Sequence, residues 1–374
     1  MSKPMLLADF VRLPPAIRGD VVEGLAAAID TVAERGPPSH RFLRFGWYAA
    51  ALAAYGGHAR TLVVEEDGAP VLTLPFVRFG PAVARLAAVP GSCWPFRSFG
   101  VALGASDAAL KVALSILAGH VNGLRIGPVR DDDPAVGALV TAAVAQGWVA
   151  IDRKVGETWT VDLPLADAES DPWPLASKSD QKGHGGLEWR FLTGADWPDG
   201  FTALRMAACG EQTDRPDAKF LRSDHLAFWQ AATADTALAA MFRATLLTID
   251  GDPAAFSFDI NTGDLLYGVA SGQDLRFAER SPGELVQERN LVAAWDRGVR
   301  QVEWESGSRD YPLPSGARAG SPIRVWTLLK PGLPALAGRA FGAFSVRNPC
   351  AAAARHSACR RAVRTGRCPR TCPR

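Results

Sequence analysis

The 374-residue sequence predicts an α/β chain of helix-covered mixed sheets, α+β where strands run antiparallel, built as two similar lobes. Three observations predict it. A helix followed by an Asp-Gly hairpin occurs twice, at 42–76 and again at 224–260. The second copy runs on through a third strand, a helix and a fourth strand. The length exceeds one ordinary core and fits two domains of roughly 150 residues each.

Residues 21–34 have helical apolar spacing, Gly36-Pro37-Pro38 interrupts it, and a second helix is expected from about 41 to 55. Strands at 61–65 (Thr-Leu-Val-Val-Glu) and 71–76 (Val-Leu-Thr-Leu-Pro-Phe) flank Asp67-Gly68-Ala69-Pro70. Glycine there supplies the positive φ that a tight reversal needs. Residues 163–186 are rich in Pro, Asp, Ser and Gly and read as a linker or mobile loop. Helices are expected at 201–209 and 224–233. The hairpin pattern then returns as 245–249 (Thr-Leu-Leu-Thr-Ile), Asp250-Gly251-Asp252-Pro253 and 254–260. Asn261-Thr262-Gly263 is another turn, so strands near Ala244, Ala255 and Leu266 form an antiparallel meander. A loop at 272–280, a helix at 283–297 and a strand at 300–306 follow. The repeated order points to a duplicated fold. The resulting division is an N-terminal helical segment 1–39, a first lobe 40–165, a linker 166–188, a second lobe 189–332 and a tail 333–374.

The formal charge of +2 is misleading, because the chain from Ala335 onward holds nine arginines and no acidic residue. Without them, 32 basic residues face 39 acidic ones. The body is mildly acidic, which argues against a nucleic-acid surface on it. Only Cys93 and Cys209 of the six cysteines lie in the body, so no disulfide framework is expected and a reducing cytoplasm fits best. No apolar stretch reaches the roughly 18 residues needed to span a bilayer. In the tail, His356, Cys359, Cys368 and Cys372 have zinc-ligand chemistry but almost no apolar residues to pack around a metal. The expectation is a disordered tail and no metal. An out-of-frame end of a GC-rich coding region would leave the same Arg, Ala, Pro and Cys bias.

The stretch 265–311 carries the functional signal. A strand at 265–271 leads through a loop to a helix that opens at Ser281-Pro282-Gly283-Glu284. Free amides and the positive end of a helix dipole suit a phosphate there, and Arg276 and Arg280 add positive charge. The same residues also read as a capping box, with Ser281 at the N-cap, Pro282 first in the helix and Glu284 third.

This order of hairpin, strand, Ser-Pro-Gly loop, helix 284–298, strand Gln-Val-Glu-Trp-Glu at 301–305 and Gly-Ser-Arg-Asp-Tyr at 307–311 resembles the GNAT superfamily of N-acyltransferases. It looks most like the branch of cellulose-biosynthesis-associated acetyltransferases, whose layout is similar to that of Fem-type peptidoglycan aminoacyltransferases. The resemblance spans most of 40–330. It implies two tandem GNAT-like lobes, with acetyl-coenzyme A or another acyl-coenzyme A bound as co-substrate in the second. By the same resemblance, the strand with Tyr267 and Val269 would line the pantetheine arm through backbone groups. Amides from Arg280 to Gly283, near Arg276, would hold the pyrophosphate. The loop is less glycine-rich than the superfamily's, and Pro312 stands where similar branch members have a lysine.

Such a fold catalyses attack of an amine on a thioester, which needs a base, a polarised carbonyl and a proton for the leaving thiolate. Glu303 and Glu305 share one face of their strand, as candidate bases or as a solvent-facing strand edge. Tyr311 is a candidate acid or a packing residue. Asp259 points into a cleft or into water, and Glu211 is a further candidate carboxylate for the acceptor site. The acceptor would be a small-molecule or glycan amine. Alternatives are a catalytically degenerate scaffold that binds a polysaccharide or protein, and aminoacyl transfer from a charged tRNA. No Ser-His-Asp or Cys-His spacing supports a hydrolase. The eleven tryptophans read mainly as core.

Overall fold

The computed structural model describes residues 16–92, 94–164, 186–197, 199–208, 223–305 and 316–332. The first half contains β1 (Ile17–Glu23), α1 (Ala28–Arg35), α2 (Phe45–Tyr55), β2 (Ala59–Glu66), β3 (Ala69–Phe79), β4 (Leu86–Ala88) and β5 (Gly100–Val101). It closes with α3 (Asp107–His120), β6 (Gly123–Arg130), α4 (Pro134–Ala145) and β7 (Val149–Asp162). The second half contains β8 (Leu187–Thr193), α5 (Asp199–Ala208), α6 (Ser223–Thr233), the short α7 (Thr236–Ala239), β9 (Phe242–Ile249) and β10 (Asp252–Asn261). It continues through β11 (Leu265–Gln273), α8 (Pro282–Asp296), β12 (Gln301–Glu305) and β13 (Arg318–Leu329).

Both Asp-Gly pairs make the turn the sequence predicts. Asp67 and Gly68 have φ of 51° and 79°, and Asp250 and Gly251 have 54° and 88°. Two successive left-handed residues define the two-residue turn whose twist matches a hairpin. The pairs Glu66–Ala69 and Ile249–Asp252 close these turns. Each hairpin leads to a third strand, a crossover helix and a strand parallel to the third: β4, α3 and β6 in one half, β11, α8 and β12 in the other. The duplication is therefore visible as topology.

One mixed sheet runs β1-β2-β3-β4-β6-β13-β7-β12-β11-β10-β9-β8, with β5 beside β3. The halves exchange their last strands. β7 lies against β12, while β13 lies between β6 and β7. The core also crosses the junction, where Trp47 of α2 meets Phe228 of α6 edge to face at 4.8 Å and Trp229 at 5.9 Å. Trp47, Trp94 and Trp229 are all buried, as expected of core tryptophans.

Two sequence expectations fail near the N-terminus. Residues 21–34 are not one helix: β1 occupies the start and α1 the end. β1 is a largely exposed edge strand whose partner β2 supplies the order that its charged sequence does not. The second helix begins at Phe45 rather than near 41, after a 3₁₀ turn at Pro38–His40.

Candidate active site

The parallel pairing of β11 with β12 covers only Leu265–Gln301 to Gly268–Trp304, although β11 continues to Gln273. Past Gly268 the register between β10 and β11 slips by one residue, from Asp259–Gly268 to Phe258–Ala270. Such a bulge bends the strand and sharpens its twist, so β11 leaves β12 at this point. Gly268 is required here, because a Cβ would lie 2.2 Å from Cδ1 of Trp304. Its carbonyl accepts the indole N–H of Trp94 at 2.8 Å, a bond that ties the divergence point to the first half.

Beyond β11 the chain makes a 3₁₀ turn, Leu275–Arg280, where a loop was expected. Buried Asp274 starts it by accepting the Arg276 amide at 2.9 Å. The Arg276 guanidinium bonds back to Asp274 at 2.7 Å, which holds that carboxyl below the ordinary range, and lies 3.8 Å from Asp252. Arg280 is 3.4 Å from Asp250. Ser281 does not form the expected capping box: at φ 47°, ψ 50° it is left-handed, and its side chain caps nothing. Pro282 does occupy the first turn. The Gly283 amide instead donates to the side-chain oxygen of Gln273 at 3.2 Å.

On the face of the sheet away from α8, Tyr267 is fully buried against Phe42, Trp94 and Phe96, and its hydroxyl donates to the Ser39 carbonyl at 3.3 Å. Burial, reinforced by nearby Glu303, pushes the Tyr267 hydroxyl well up. Val269 is buried as well.

Glu303 corrects the strand-edge reading. β12 lies inside the sheet, and Glu303 is 0% exposed. One carboxylate oxygen accepts the Thr158 hydroxyl at 2.8 Å and the other accepts Arg130 at 3.0 Å. Burial raises the Glu303 pKa, and Arg130 opposes that only in part. Arg130 also grips Asp132 through two bonds of 2.8 and 2.7 Å and reaches Ser321 at 3.3 Å. Strands from both halves thus meet around one guanidinium.

Beside this network, buried His40 and Asp133 lie 3.1 Å apart, and Asp133 caps α4 through the Val136 amide. Burial pushes Asp133 up, but His40 and these hydrogen bonds outweigh it and hold the carboxyl below the ordinary range. Asp259 faces neither cleft nor water. It is 2% exposed beneath α8, accepts from Ser257 at 2.9 Å and from Asn290 at 3.0 Å, and burial raises its pKa to about 7. Glu305 ends β12, while Tyr311 and Glu211 lie outside the described residues.

Sequence reasoning missed Arg130, Asp132, Asp133, Thr158, His40 and Asn290. For one of them a signal was there: Asp133-Pro134 after a strand is a helix start, with an N-cap and a first-turn proline. Arg130 and Thr158 reach Glu303 only through the strand exchange, while His40 and Asn290 meet their carboxylates across long sequence separations, and neither leaves a local mark.

Residues 177–311 match the family model described as an acetyltransferase (GNAT) domain. Among solved structures, FemX superposes with a TM-score of 0.56 at 10% identity, covering 86% of this chain and 99% of that one. This likeness is one of fold. A tandem GNAT protein from the clavulanic acid biosynthesis pathway has 19% identity and a TM-score of 0.44, covering 83% of this chain and 98% of its own. The C-terminal domain of a lysylphosphatidylglycerol synthetase from Agrobacterium fabrum has 14% identity and a TM-score of 0.47, covering 83% and 93%. No curated protein sequence matches this chain. Within the matched segment fall β11, the 3₁₀ turn, α8 and β12. No helix among the described residues is long and apolar enough to cross a membrane.

Proposed function

We propose that the protein is an N-acyltransferase that moves an acyl group, acetyl in the simplest case, from acyl-coenzyme A to an amine. The observation that carries this reading is the divergence of β11 from β12 at Gly268, ahead of the 3₁₀ turn that leads into α8, within the segment matched by the acetyltransferase model. The backbone of Ala270 to Gln273 would line the pantetheine arm. Arg276 and Arg280 would meet the phosphates, and the first amides of α8 would complete the cradle. The Arg280–Asp250 pair and the Arg276–Asp252 contact are partly exposed, and such pairs contribute about 1 kcal/mol or less, so an incoming pyrophosphate displaces them readily. Gln273 occupies the Gly283 amide and would turn aside with them.

In the reaction the amine nitrogen bonds to the thioester carbon, the carbon–sulfur bond breaks, and the amine loses a proton while the thiolate gains one. We assign Glu303 to holding Arg130 at the junction rather than to taking that proton, because its carboxylate has no exposed surface and two partners. Asp259 is set aside for the same reason of burial. Glu305, Tyr311 and Glu211 remain the proposed proton carriers. The acceptor class we favour is a sugar or other envelope-precursor amine, in line with the resemblance to the cellulose-associated branch. A thiol-release assay with acetyl-coenzyme A and a panel of amino sugars, peptides and polyamines tests the reading. Acceptor-dependent release supports it; none with any acyl-coenzyme A leaves a non-catalytic scaffold.

A further inference from the structure

A second depression lies in the first half, beside the start of β4 and the C-terminal end of α3. It has a volume of about 310 Å³ and is lined by Arg60, Arg78, Arg85 and His120 together with the backbone around Leu86 and Gly119. It shares no residue with the candidate active site. No carboxylate among the described residues comes within 4.0 Å of any of the three guanidiniums, although Glu23 stands opposite Arg60 on β1.

Part of this charge has a structural explanation. Arg85 donates to the Gly119 carbonyl at 2.6 Å and Lys330 reaches the Ala118 carbonyl at 3.5 Å, so two cations satisfy the C-terminal carbonyls of α3. That account leaves out Arg60 and Arg78. Arg60 stacks over Phe76 at 4.9 Å and donates to Nδ1 of His120 at 3.4 Å, which leaves the ring's Nε2 as a donor. Arg78 is exposed on β3 and has no such anchor. Three guanidiniums around one concavity repel one another, and an anion with several oxygens relieves that repulsion through paired N–H contacts.

We infer that this depression is a binding site for a phosphate-bearing ligand, distinct from the acyl-donor site. A phosphate group and a small attached portion fit its volume. Val83, next in sequence to the lining residue Ala82, is 88% exposed, so a lipid phosphate is a source to test beside a soluble one.

Pyrophosphate titrated calorimetrically at low salt into the full chain carrying Arg280→Glu, which weakens the separate donor site, tests the depression, and every variant below is made in that background. Binding should weaken by about tenfold or more in the Arg60→Gln, Arg78→Gln double variant and measurably in Arg78→Gln alone. Arg190→Gln, an exposed change on β8, should leave it unaltered. Melting curves check that each variant is folded, and Arg78→Gln keeps the test valid if loss of the Phe76 stack unfolds the double variant. Co-sedimentation with phosphatidic acid vesicles but not phosphatidylcholine vesicles, lost in the variants, would identify a lipid phosphate. Pyrophosphate binding without sedimentation would identify a soluble one. Absence of binding at about 20 mM, or binding that persists undiminished in the folded variants, overturns the inference.

Discussion

Asp259→Asn should flatten the pH dependence of stability. Burial beneath α8 raises the Asp259 pKa from 3.8 to about 7, against the opposing bonds from Ser257 and Asn290. A group whose pKa is higher in the folded chain binds protons more tightly there. Its stabilising contribution is complete below the unfolded pKa and disappears as pH rises through the folded one. From pH 5 to pH 8 this carboxyl alone should remove about 2.5 kcal/mol. Asparagine keeps the shape, presents one oxygen to both donors and never ionises. The variant should therefore gain about 2.5 kcal/mol relative to the parent between those two pH values, roughly 3 °C in melting temperature for a chain of this size. Paired urea and thermal melts at both pH values measure the difference, in which every other titration cancels. A variant-minus-parent difference that is the same at pH 5 and pH 8 would refute the reasoning.

Three further outcomes follow from packing and pairing. Glu303→Ala strands the half-buried Arg130 and the Thr158 hydroxyl and should destabilise by about 3 kcal/mol in urea melts, whereas a loss below about 1 kcal/mol would show that Asp132 alone suffices for Arg130. Gly268→Ala forces a methyl into the Trp304 indole and should lose about 1–3 kcal/mol; unchanged stability would mean that the indole moves freely. Trp94→Phe removes the donor to the buried Gly268 carbonyl and should cost about 1–2 kcal/mol, checked by the same melts, with no loss expected only if another donor replaces it.

The hairpins and the meander were legible because their signals are local. Asp67-Gly68 and Asp250-Gly251 carry their turn type in two residues, and the strands beside them carry the apolar pattern. The duplication followed from the same signals. β1 was not legible, because an edge strand such as Ile17–Glu23 owes its form to the β2 ladder rather than to its own charged sequence. Ser281 misled for a related reason. Ser-Pro-Gly-Glu has cap composition, but the preceding 3₁₀ turn delivers the chain to a left-handed Ser281, and Gln273 takes the amide instead. The Glu303 network escaped because Arg130, Thr158 and Ser321 reach it only after β7 and β13 trade places. The alternation along β12 said nothing of the depth at which Glu303 lies.

The most direct test of the central claim is a calorimetric titration of acetyl-coenzyme A into the intact protein, its Gly283→Asp variant and its Arg280→Glu variant, each first shown to be folded. Saturable binding to the parent, lost or weakened at least about tenfold in both variants, is the predicted result. Absence of binding at millimolar ligand, or equal binding by all three proteins, would contradict a donor site at the start of α8.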